Sequence, residues 1–365
     1  MPGGLAIVYS DEYTKICIVP KDLCTIWISK FKYFKQYIES SDLISHALLI
    51  KASSLKDESL LEVAHNRDYI NLIKRLSESG AEGFLDLGDT RYYPKIYDDL
   101  LLLVGGSIKA ADMVAQGFTA HSYNPYGGFH HAHRNRASGF CIFNDVAITA
   151  KYLQKYYGYD SIAIVDFDVH HADGTQSIFY EDASVLTISI HAFGDFFYPG
   201  TGDVSETGAG RGKGYTVNIP LPLGSGDDTF KNVMNVVRHI VEAFSPDVIL
   251  VQAGVDGLNE DLLGRLRLTF NSYMYAGKTL HELSHTICNG RLVAFGGGGY
   301  CGVLSAKAML AFIYELSKPM RKHIELKIQN ILSVVEETKS SSEHIHKVDA
   351  IIREIKERVK WVKWG

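Results

Sequence analysis

The stretch Val165-Asp166-Phe167-Asp168-Val169-His170-His171-Ala172-Asp173-Gly174 (residues 165–174) is the most informative part of this chain. It places three carboxylates and two imidazoles directly after an apolar run, 161–165, that predicts a buried strand. Because burying unpaired charge is costly, a bound cation is the simplest way to stabilise such a block. Asp168 and His170 are two residues apart, so in an extended segment their side chains point the same way. The pattern predicts that these two residues supply two ligands of a transition-metal site.

Predicted strands and helices alternate along the rest of the chain. The predicted strands are 5–9, 161–165, 185–190, 247–252 and 291–295. The predicted helices are 29–44, 105–116, 145–157, 230–244 and 269–288, with Asn144 or Asp145 as the cap of the third. This alternation indicates an α/β protein whose central, mainly parallel sheet is flanked by helices on both faces.

Reactive residues follow the ends of four predicted strands. The block that starts at Asp166 follows 161–165, and His191 follows 185–190. The third of these strands is followed by residues 254–257, which include Asp256, and the fourth by 296–299 and Tyr300. Since ligands of open α/β sheets bind at the carboxyl ends of the strands, we expect these groups to converge.

Asp168, His170 and Asp256 therefore form a candidate three-ligand metal site with an open position for water or substrate. Zinc is the default metal, and ferrous iron or cobalt would also fit two carboxylates and one imidazole. The alternative is that Asp256 caps a turn and Asp168 pairs with a lysine.

A second cluster is Gly127-Gly128-Phe129-His130-His131-Ala132-His133. Adjacent histidines beside a site suit acid and base catalysis, because imidazole titrates near neutrality. Surface loop histidines, or further metal ligands, are the alternatives. His133 is expected to be solvated, since Arg134-Asn135-Arg136 follows it.

Two further segments could form part of a binding site. The glycines 296–299 lack a Walker lysine, so a turn that brings backbone close to a ligand is favoured over a phosphate cradle. Tyr300, which follows them, is either a donor to an oxyanion or a packing residue. The aromatic run 196–198 predicts either core packing or an aromatic-walled slot.

Bulk properties exclude several classes of protein. The 365 residues allow one large domain or two smaller ones, and the net charge of −5 gives no general attraction to nucleic acid or anionic membranes. Apolar stretches such as 100–104 are too short to cross a bilayer. Five scattered cysteines argue against a disulfide framework and a thiolate zinc site. Residues 1–4 lack a secretory start, so a cytoplasmic location is expected.

The last 26 residues, 340–365, form a separate predicted segment after a catalytic domain at 1–339. Ser340–Ser342 resembles a hinge, and the apolar residues beyond it are spaced as on one narrow face of a helix. That face consists of Ile345, Val348, Ile352, Ile355, Val359 and Val362. It either docks on its own catalytic domain or joins subunits of a homo-oligomer.

Together these segments closely resemble the histone deacetylase family, including its acetoin-utilisation and acetylpolyamine branches. The matching stretches lie between about 105 and 304, and include residues 127–145, 165–180, 198–221, 252–257 and 295–300. The resemblance implies a single arginase-like α/β domain. It also implies hydrolysis of the amide of N-acetyl-lysine, or of a related acylated amine, by a metal-activated water.

The resemblance carries roles onto individual residues. It implies metal ligation by Asp168, His170 and Asp256, and proton transfer or electrostatic support by the tandem His130 and His131. Their implied carboxylate partners are Asp166 and Asp173 respectively, and Tyr300 is implied to hydrogen-bond the substrate carbonyl. The implied substrate contacts are Asp89 at the rim and Gly139, Phe140 and Tyr198 in the tunnel walls. An inner K⁺ or Na⁺ site is implied at Asp166, Asp168, His170, Ser189 and Ile190, and a second one at Phe179, Asp182, Val185 and Tyr215.

The chain departs from the family pattern at three places. Ala172 replaces a usual glycine, which is tolerated if its φ is not positive. The loop 259–263 differs from the common Gly-Asp-Pro sequence, and Lys30 lies near a position where many relatives keep an arginine. The alternatives to a lysine deacetylase are an acetylpolyamine amidohydrolase, a ureohydrolase with two manganese ions and a non-catalytic acyl-lysine reader.

Overall fold

A computed structural model describes residues 4–333 and 335–364 of the chain. Eight strands form one sheet in the order β2-β1-β5-β10-β9-β6-β7-β8, and all their pairings are parallel. These strands are β1 (Leu5–Tyr9), β2 (Leu48–Lys51), β5 (His121–Asn124), β6 (Ile162–Asp166), β7 (Val185–Phe193), β8 (Thr216–Pro222), β9 (Val248–Gln252) and β10 (Leu292–Phe295). The short strands β3 (Gly83–Phe84) and β4 (Arg91–Tyr92) pair antiparallel beside it.

Ten α-helices surround the sheet. They are α1 (Cys24–Ser40), α2 (Arg67–Glu78), α3 (Ile96–Ala115), α4 (Asp145–Tyr157), α5 (Asp173–Phe179), α6 (Asp227–Phe244), α7 (Phe270–Ile287), α8 (Val303–Leu316), α9 (Lys322–Leu332) and α10 (Ser342–Arg358) in the described ranges. Every residue of β6, β9 and β10 is buried, so both faces of the central strands are covered. The predicted α/β class and parallel sheet are confirmed.

The predicted elements differ from the observed ones mainly at their ends. The strand 5–9 and the helix 145–157 have their predicted bounds, and Asn144 caps that helix by accepting a hydrogen bond from the Ala147 amide at 2.9 Å. The helix predicted at 29–44 instead occupies Cys24–Ser40. The helix predicted to begin at Gly105 starts earlier, at Ile96, and most of the apolar residues of its first two turns are buried.

One cysteine pair contradicts the expectation from cysteine spacing. Cys17 and Cys24 form a disulfide, whereas the other three cysteines are free. The two are seven residues apart, Cys17 in the loop before α1 and Cys24 at the start of that helix, and their Cα atoms lie 5.6 Å from each other. The pairing weakens the argument from cysteine usage for a reducing compartment. The expectation about the amino-terminal start falls on residues 1–3, which lie outside the described ranges.

The carboxy-terminal helix α10 contacts β8 and α6 of the same chain. Val348 and Ile355 on its predicted apolar face are buried against the domain. Beyond the helix, the indole of Trp361 stacks on Tyr215 at 5.3 Å and donates to the Gly214 carbonyl at 2.9 Å. Of the two alternatives for this face, docking within the chain is the one observed. No helix in the described ranges has both the length and the apolar character needed to cross a membrane.

Candidate active site

Three side chains from two adjacent strands meet at the carboxyl edge of the sheet. Asp168 and His170 lie just beyond β6, and Asp256 lies beyond the neighbouring β9. The Nδ1 atom of His170 is 3.2 Å from Asp168 Oδ1 and 3.1 Å from Asp256 Oδ2. All three groups offer ligand atoms within 4.8 Å of one another.

The spacing of these atoms fits a divalent metal ion. A tetrahedral zinc ion with bonds of about 2.0–2.2 Å holds its ligand atoms roughly 3.3–3.6 Å apart. Burial and the nearby Asp168 carboxylate raise the pKa of Asp256 to about 7. Burial alone would lower the pKa of His170, but the two carboxylates raise it to about 10. Positive charge therefore stabilises this group, and its O₂N donor set suits zinc, ferrous iron or cobalt.

The glycine run after β10 brings backbone against the two carboxylates. The Gly298 amide donates to Asp168 Oδ2 at 2.8 Å, and the Gln252 side chain donates to the same oxygen at 2.9 Å. A Cβ atom on Gly298 would lie only 1.9 Å from Asp256 Oδ2, so a larger residue does not fit. The run thus acts as a close-approach turn, which is the interpretation favoured over a phosphate cradle.

The tandem histidines each bind a carboxylate. His130 Nδ1 lies 2.8 Å from Asp166 Oδ2, and His131 Nδ1 lies 2.6 Å from Asp173 Oδ1. Burial opposes the charge of His130, but Asp166 and Asp168 raise its pKa to about 9. Burial and the neighbouring His130 lower the pKa of His131 to about 4, although Asp173 opposes this. Near neutral pH, His130 is therefore a cation and His131 is neutral.

The tautomer of His131 follows from its partner. Burial would raise the pKa of Asp173, but His131 and His133 hold it below its usual range, so the carboxylate only accepts hydrogen bonds. The Nδ1 atom of His131 must carry the proton, which leaves the lone pair on Nε2. The imidazole is thus oriented as a base.

His133 is not solvated, so that expectation is wrong. Its Nε2 lies 3.1 Å from the second oxygen of Asp173, and its Nδ1 lies 2.9 Å from Ser177 Oγ. The reason is that α5 begins at Asp173 and returns the chain to the histidine segment. His133 therefore helps to fix the carboxylate that orients His131.

The histidine loop is held by the beginning of α4. The Asn144 side-chain amide donates to the backbone carbonyls of His130 and Ala132 at 3.2 and 3.1 Å. The carboxylate of Asp145 accepts hydrogen bonds from the Gly128 and Phe129 amides. The sequence suggested these two residues only as helix caps, and their support of the histidine loop depends on tertiary contacts.

A cavity of about 340 Å³ leads to these groups. Its apolar lining includes Ile18, Trp27, Phe129, Phe140, Phe196, Phe197, Tyr198 and Leu263. Phe197 stacks parallel to the His170 ring at 5.3 Å, and Tyr198 meets His131 edge-on at 5.1 Å. Gly139 has φ +50°, and a Cβ atom there would lie 2.5 Å from the His131 ring. The aromatic run 196–198 thus forms a slot wall rather than core packing.

Tyr300 lines the same cavity and is buried. Its ring stacks on Trp27 at 5.6 Å and meets Phe140 at 6.0 Å. Burial and nearby carboxylates raise the pKa of its hydroxyl far above the usual range, so it remains a proton donor. The Tyr300 amide donates to Asp261 at 2.5 Å, which positions the residue. Asp261 lies in the loop that departs from the family pattern.

Two exposed charged residues line the cavity, and a third charged residue, Lys30, is buried against the lining residues Gly297 and Trp27. Asp89 and Arg265 line the cavity, and Asp89 is exposed on a turn whose amides bind the Asp86 carboxylate. Lys30 is buried, donates to the Gly297 carbonyl at 2.9 Å and lies 3.7 Å from the centre of the Trp27 ring. Burial lowers the pKa of Lys30 to about 7.

The residues implied to bind monovalent cations lie in two regions. Ser189 and Ile190 lie in β7 beside Asp166, and the Ser189 hydroxyl contacts His191 Nδ1 at 2.9 Å. His191 is inside β7 rather than after it, and it is buried. The second region contains Phe179, Asp182, Val185 and Tyr215, where Lys151 donates to Asp182 at 2.6 Å.

The backbone of Ala172 explains why alanine can replace the usual glycine there. Its φ is −74°, so the departure from glycine is tolerated.

The fold and this side-chain group define a class of parallel α/β proteins with a candidate divalent-metal centre at the strand ends. The chain belongs to the histone deacetylase family, because the model of the histone deacetylase domain matches residues 28–316. The suspected family resemblance is therefore confirmed.

Several curated relatives of this chain carry the name acetoin utilization protein AcuC. The protein of Bacillus subtilis (strain 168) is 41% identical over 253 residues, which are 67% of this chain and 65% of the relative. That of Staphylococcus aureus (strain MRSA252) is 36% identical over 278 residues, 74% of this chain and 71% of the relative. That of Staphylococcus xylosus is 37% identical over 270 residues, 72% and 69% of the two chains. The match thus spans slightly less than two thirds of the Bacillus protein.

Proposed function

We propose that the chain hydrolyses the amide of an N-acetyl-lysine side chain, or of a related acylated amine, to the free amine and acetate. The observation that carries this proposal is the convergence of Asp168, His170 and Asp256 with the neutral His131 and with Tyr300 on one aromatic-walled cavity. Membership in the histone deacetylase family supports the deacetylase reaction type.

The chain's own residues suit each step of amide hydrolysis. A divalent ion, proposed to be Zn²⁺ with Fe²⁺ or Co²⁺ as alternatives, would supply a Lewis acid that polarises the carbonyl and acidifies water. His131 Nε2 accepts the proton of the attacking water and returns it to the leaving amine. The Tyr300 hydroxyl donates to the carbonyl oxygen as negative charge develops there. The charged His130 adds favourable electrostatics, and Tyr198 and Phe197 enclose the acyl-bearing chain.

The geometry disfavours the two other classes of function. A binuclear ureohydrolase needs bridging ligands for a second ion, but Asp166 and His130, which border the group, bind each other at 2.8 Å. Among the described residues, the carboxyl edge of the sheet carries one three-ligand group. A non-catalytic reader would be expected to lack a ligand or Tyr300, and all four side chains line or border the cavity.

The test uses the full chain loaded with Zn²⁺ and a fluorogenic acetyl-lysine peptide. We expect hydrolysis that a chelator abolishes, that added Zn²⁺ restores and that a hydroxamate inhibits. Asp256→Asn should lose activity, whereas Asp349→Asn on α10 is the control that should retain it. Hydrolysis of agmatine or arginine without release of acetate from any acetylated amine would overturn the proposal.

The substrate is proposed as an acylated protein or a small acylated amine, with no direct role for nucleic acid or membranes. Rates on acetyl-lysine peptide, longer acyl-peptides and acetylputrescine distinguish these substrates. We also propose a structural K⁺ or Na⁺ near Ser189. The test is to replace the small monovalent cations by dialysis against a large organic cation and to measure the thermal stability of the chain. A cytoplasmic location and a homo-oligomer through α10 stay predictions, and size-exclusion chromatography tests the second.

A further inference from the structure

A second group of imidazoles lies at the opposite edge of the sheet. His121 is the first residue of β5, whereas Tyr300 and the three candidate ligands lie beyond carboxyl ends of strands. His281 and His285 are one helical turn apart near the end of α7. The three rings lie close together, with centroid distances of 5.0, 5.1 and 4.7 Å.

The three rings offer nitrogen atoms within 4.8 Å of one another. His121 Nε2 and His281 Nδ1 are 2.9 Å apart. A neutral imidazole has one donor nitrogen and one acceptor nitrogen. The contact therefore occupies one nitrogen of each ring and leaves the other nitrogen of each ring without a role in it. The remaining nitrogen of His121, Nδ1, is buried and has no hydrogen-bond partner in the described part of the chain. Hydrogen bonding within the protein thus leaves the cluster unsatisfied.

Accessibility and protonation also suit a metal site. His121 is buried, His281 is half-buried and His285 is exposed, so solvent reaches the cluster from the side of α7. Burial and the two neighbouring imidazoles lower the pKa of His121 to about 3, and burial also lowers the pKa of His281. Neutral imidazoles keep the lone pairs that metal ions need. The nearby Glu282 carboxylate, which is paired with Arg238 at 2.8 Å, opposes the shift of the His281 pKa but does not reverse it.

We propose that His121, His281 and His285 form a second metal site, which binds Zn²⁺ or another borderline divalent ion such as Cu²⁺ or Ni²⁺. Three imidazoles with a fourth, solvent-facing position are a donor set that these ions favour. His285 is the exposed member of the group, on the solvent side of the cluster. The ion would join two parts of the chain that are 160 residues apart, the start of β5 and the end of α7.

The local backbone is compatible with this role. Gly290, in the turn between α7 and β10, lies against His285, and a Cβ atom there would be 2.8 Å from the ring. His121 lies beside the backbone of the same glycine.

The first experiment counts metal ions in tag-free full chain dialysed against micromolar Zn²⁺. We expect the wild type to hold one ion per chain more than His281→Ala/His285→Ala. The matched control His239→Ala/His323→Ala removes two exposed histidines elsewhere and should hold as many ions as the wild type. Activity on acetyl-lysine peptide should be unchanged in both double variants. Equal metal content in the wild type and His281→Ala/His285→Ala would overturn the proposal.

The second experiment identifies the ligands. With Cu²⁺, electron paramagnetic resonance should show a component with coupling to three nitrogens, whereas the candidate active site offers only one. That component should disappear in His285→Ala, whose side chain is exposed, so its removal should leave folding intact by circular dichroism. A three-nitrogen signal that persists in this variant, or a wild-type signal with one nitrogen only, contradicts the proposed site.

Discussion

Replacing Tyr300 with phenylalanine tests the proposed mechanism through a single hydroxyl. The ring of Tyr300 stacks on Trp27 and meets Phe140, and phenylalanine retains both contacts. The amide of residue 300 still donates to Asp261, so the backbone position is also kept. The substitution therefore removes a hydrogen-bond donor with little change in packing or in the three candidate metal ligands.

The expected loss follows from the role of that donor. Removing one donor to a developing oxyanion typically raises the barrier by about 2.7–4 kcal/mol, which lowers kcat by about 10²–10³-fold. Because the pKa of the Tyr300 hydroxyl is raised far above its usual range, the donor is present at every pH at which the enzyme is assayed. The loss should therefore be independent of pH. The assay is steady-state hydrolysis of acetyl-lysine peptide, with metal content measured on the same samples.

The matched control is Tyr275→Phe, which removes a hydroxyl bound to Asn235 on the outer side of α7. It should leave kcat unchanged. If Tyr300→Phe keeps its metal and its melting temperature but turns over within about threefold of the wild type, Tyr300 does not stabilise the oxyanion. A loss of bound metal in the variant would show instead that the tyrosine supports the ligands.

Four further predictions concern proton transfer, the cavity wall and the carboxy-terminal helix. Since His131 is neutral above its pKa of about 4 and His130 is charged below its pKa of about 9, kcat/KM should be level between these limits and fall on either side. Asp166→Asn removes a carboxylate that raises the pKa of His130, so the alkaline limb of the pH–rate profile should move to lower pH. If this limb stays at the same pH in the variant, His130 is not the group that causes it. Gly139→Ala places a Cβ atom against the His131 ring and should lower kcat by about 10²-fold, with unchanged activity as the contrary result. Ile355→Ala should lower the free energy of unfolding in urea by about 2–5 kcal/mol and leave kcat unchanged, whereas a loss below about 0.5 kcal/mol would contradict docking of α10 on its own domain.

The central strands were predictable because their sequences are short apolar runs that end in polar residues. β6, β9 and β10 are of this kind, and their predicted and observed bounds differ by one residue at most. β5 was missed because His121-Ser122-Tyr123-Asn124 has no apolar run, and the side-chain partners of His121 and Asn124 are distant in the sequence. Asn124, for example, accepts from the Tyr13 hydroxyl at 3.1 Å, a contact across 111 residues.

The convergence of the candidate metal ligands was predictable for a topological reason. Strands of one parallel sheet end at the same edge, so residues after β6 and β9 meet whatever the loops between them do. Residues that act from loops were not predictable. Asp261 reaches the Tyr300 amide, and Cys17 reaches Cys24, only because of loop paths that leave no periodic pattern. The exposure of His133 was predicted wrongly for the same reason. The charged residues that follow it indicated a solvent-exposed side chain.

The two candidate metal groups change what a metal count means for this chain. Two divalent ions per chain would ordinarily favour a binuclear ureohydrolase over a mononuclear deacetylase. Here the imidazole cluster at the start of β5 offers a second ion a site on the far edge of the sheet. A count of two that falls to one in His281→Ala/His285→Ala, with amide hydrolysis retained, supports a mononuclear active site. A count of two that survives this substitution places both ions at the carboxyl edge, and the deacetylase mechanism would then have to be replaced by a binuclear one.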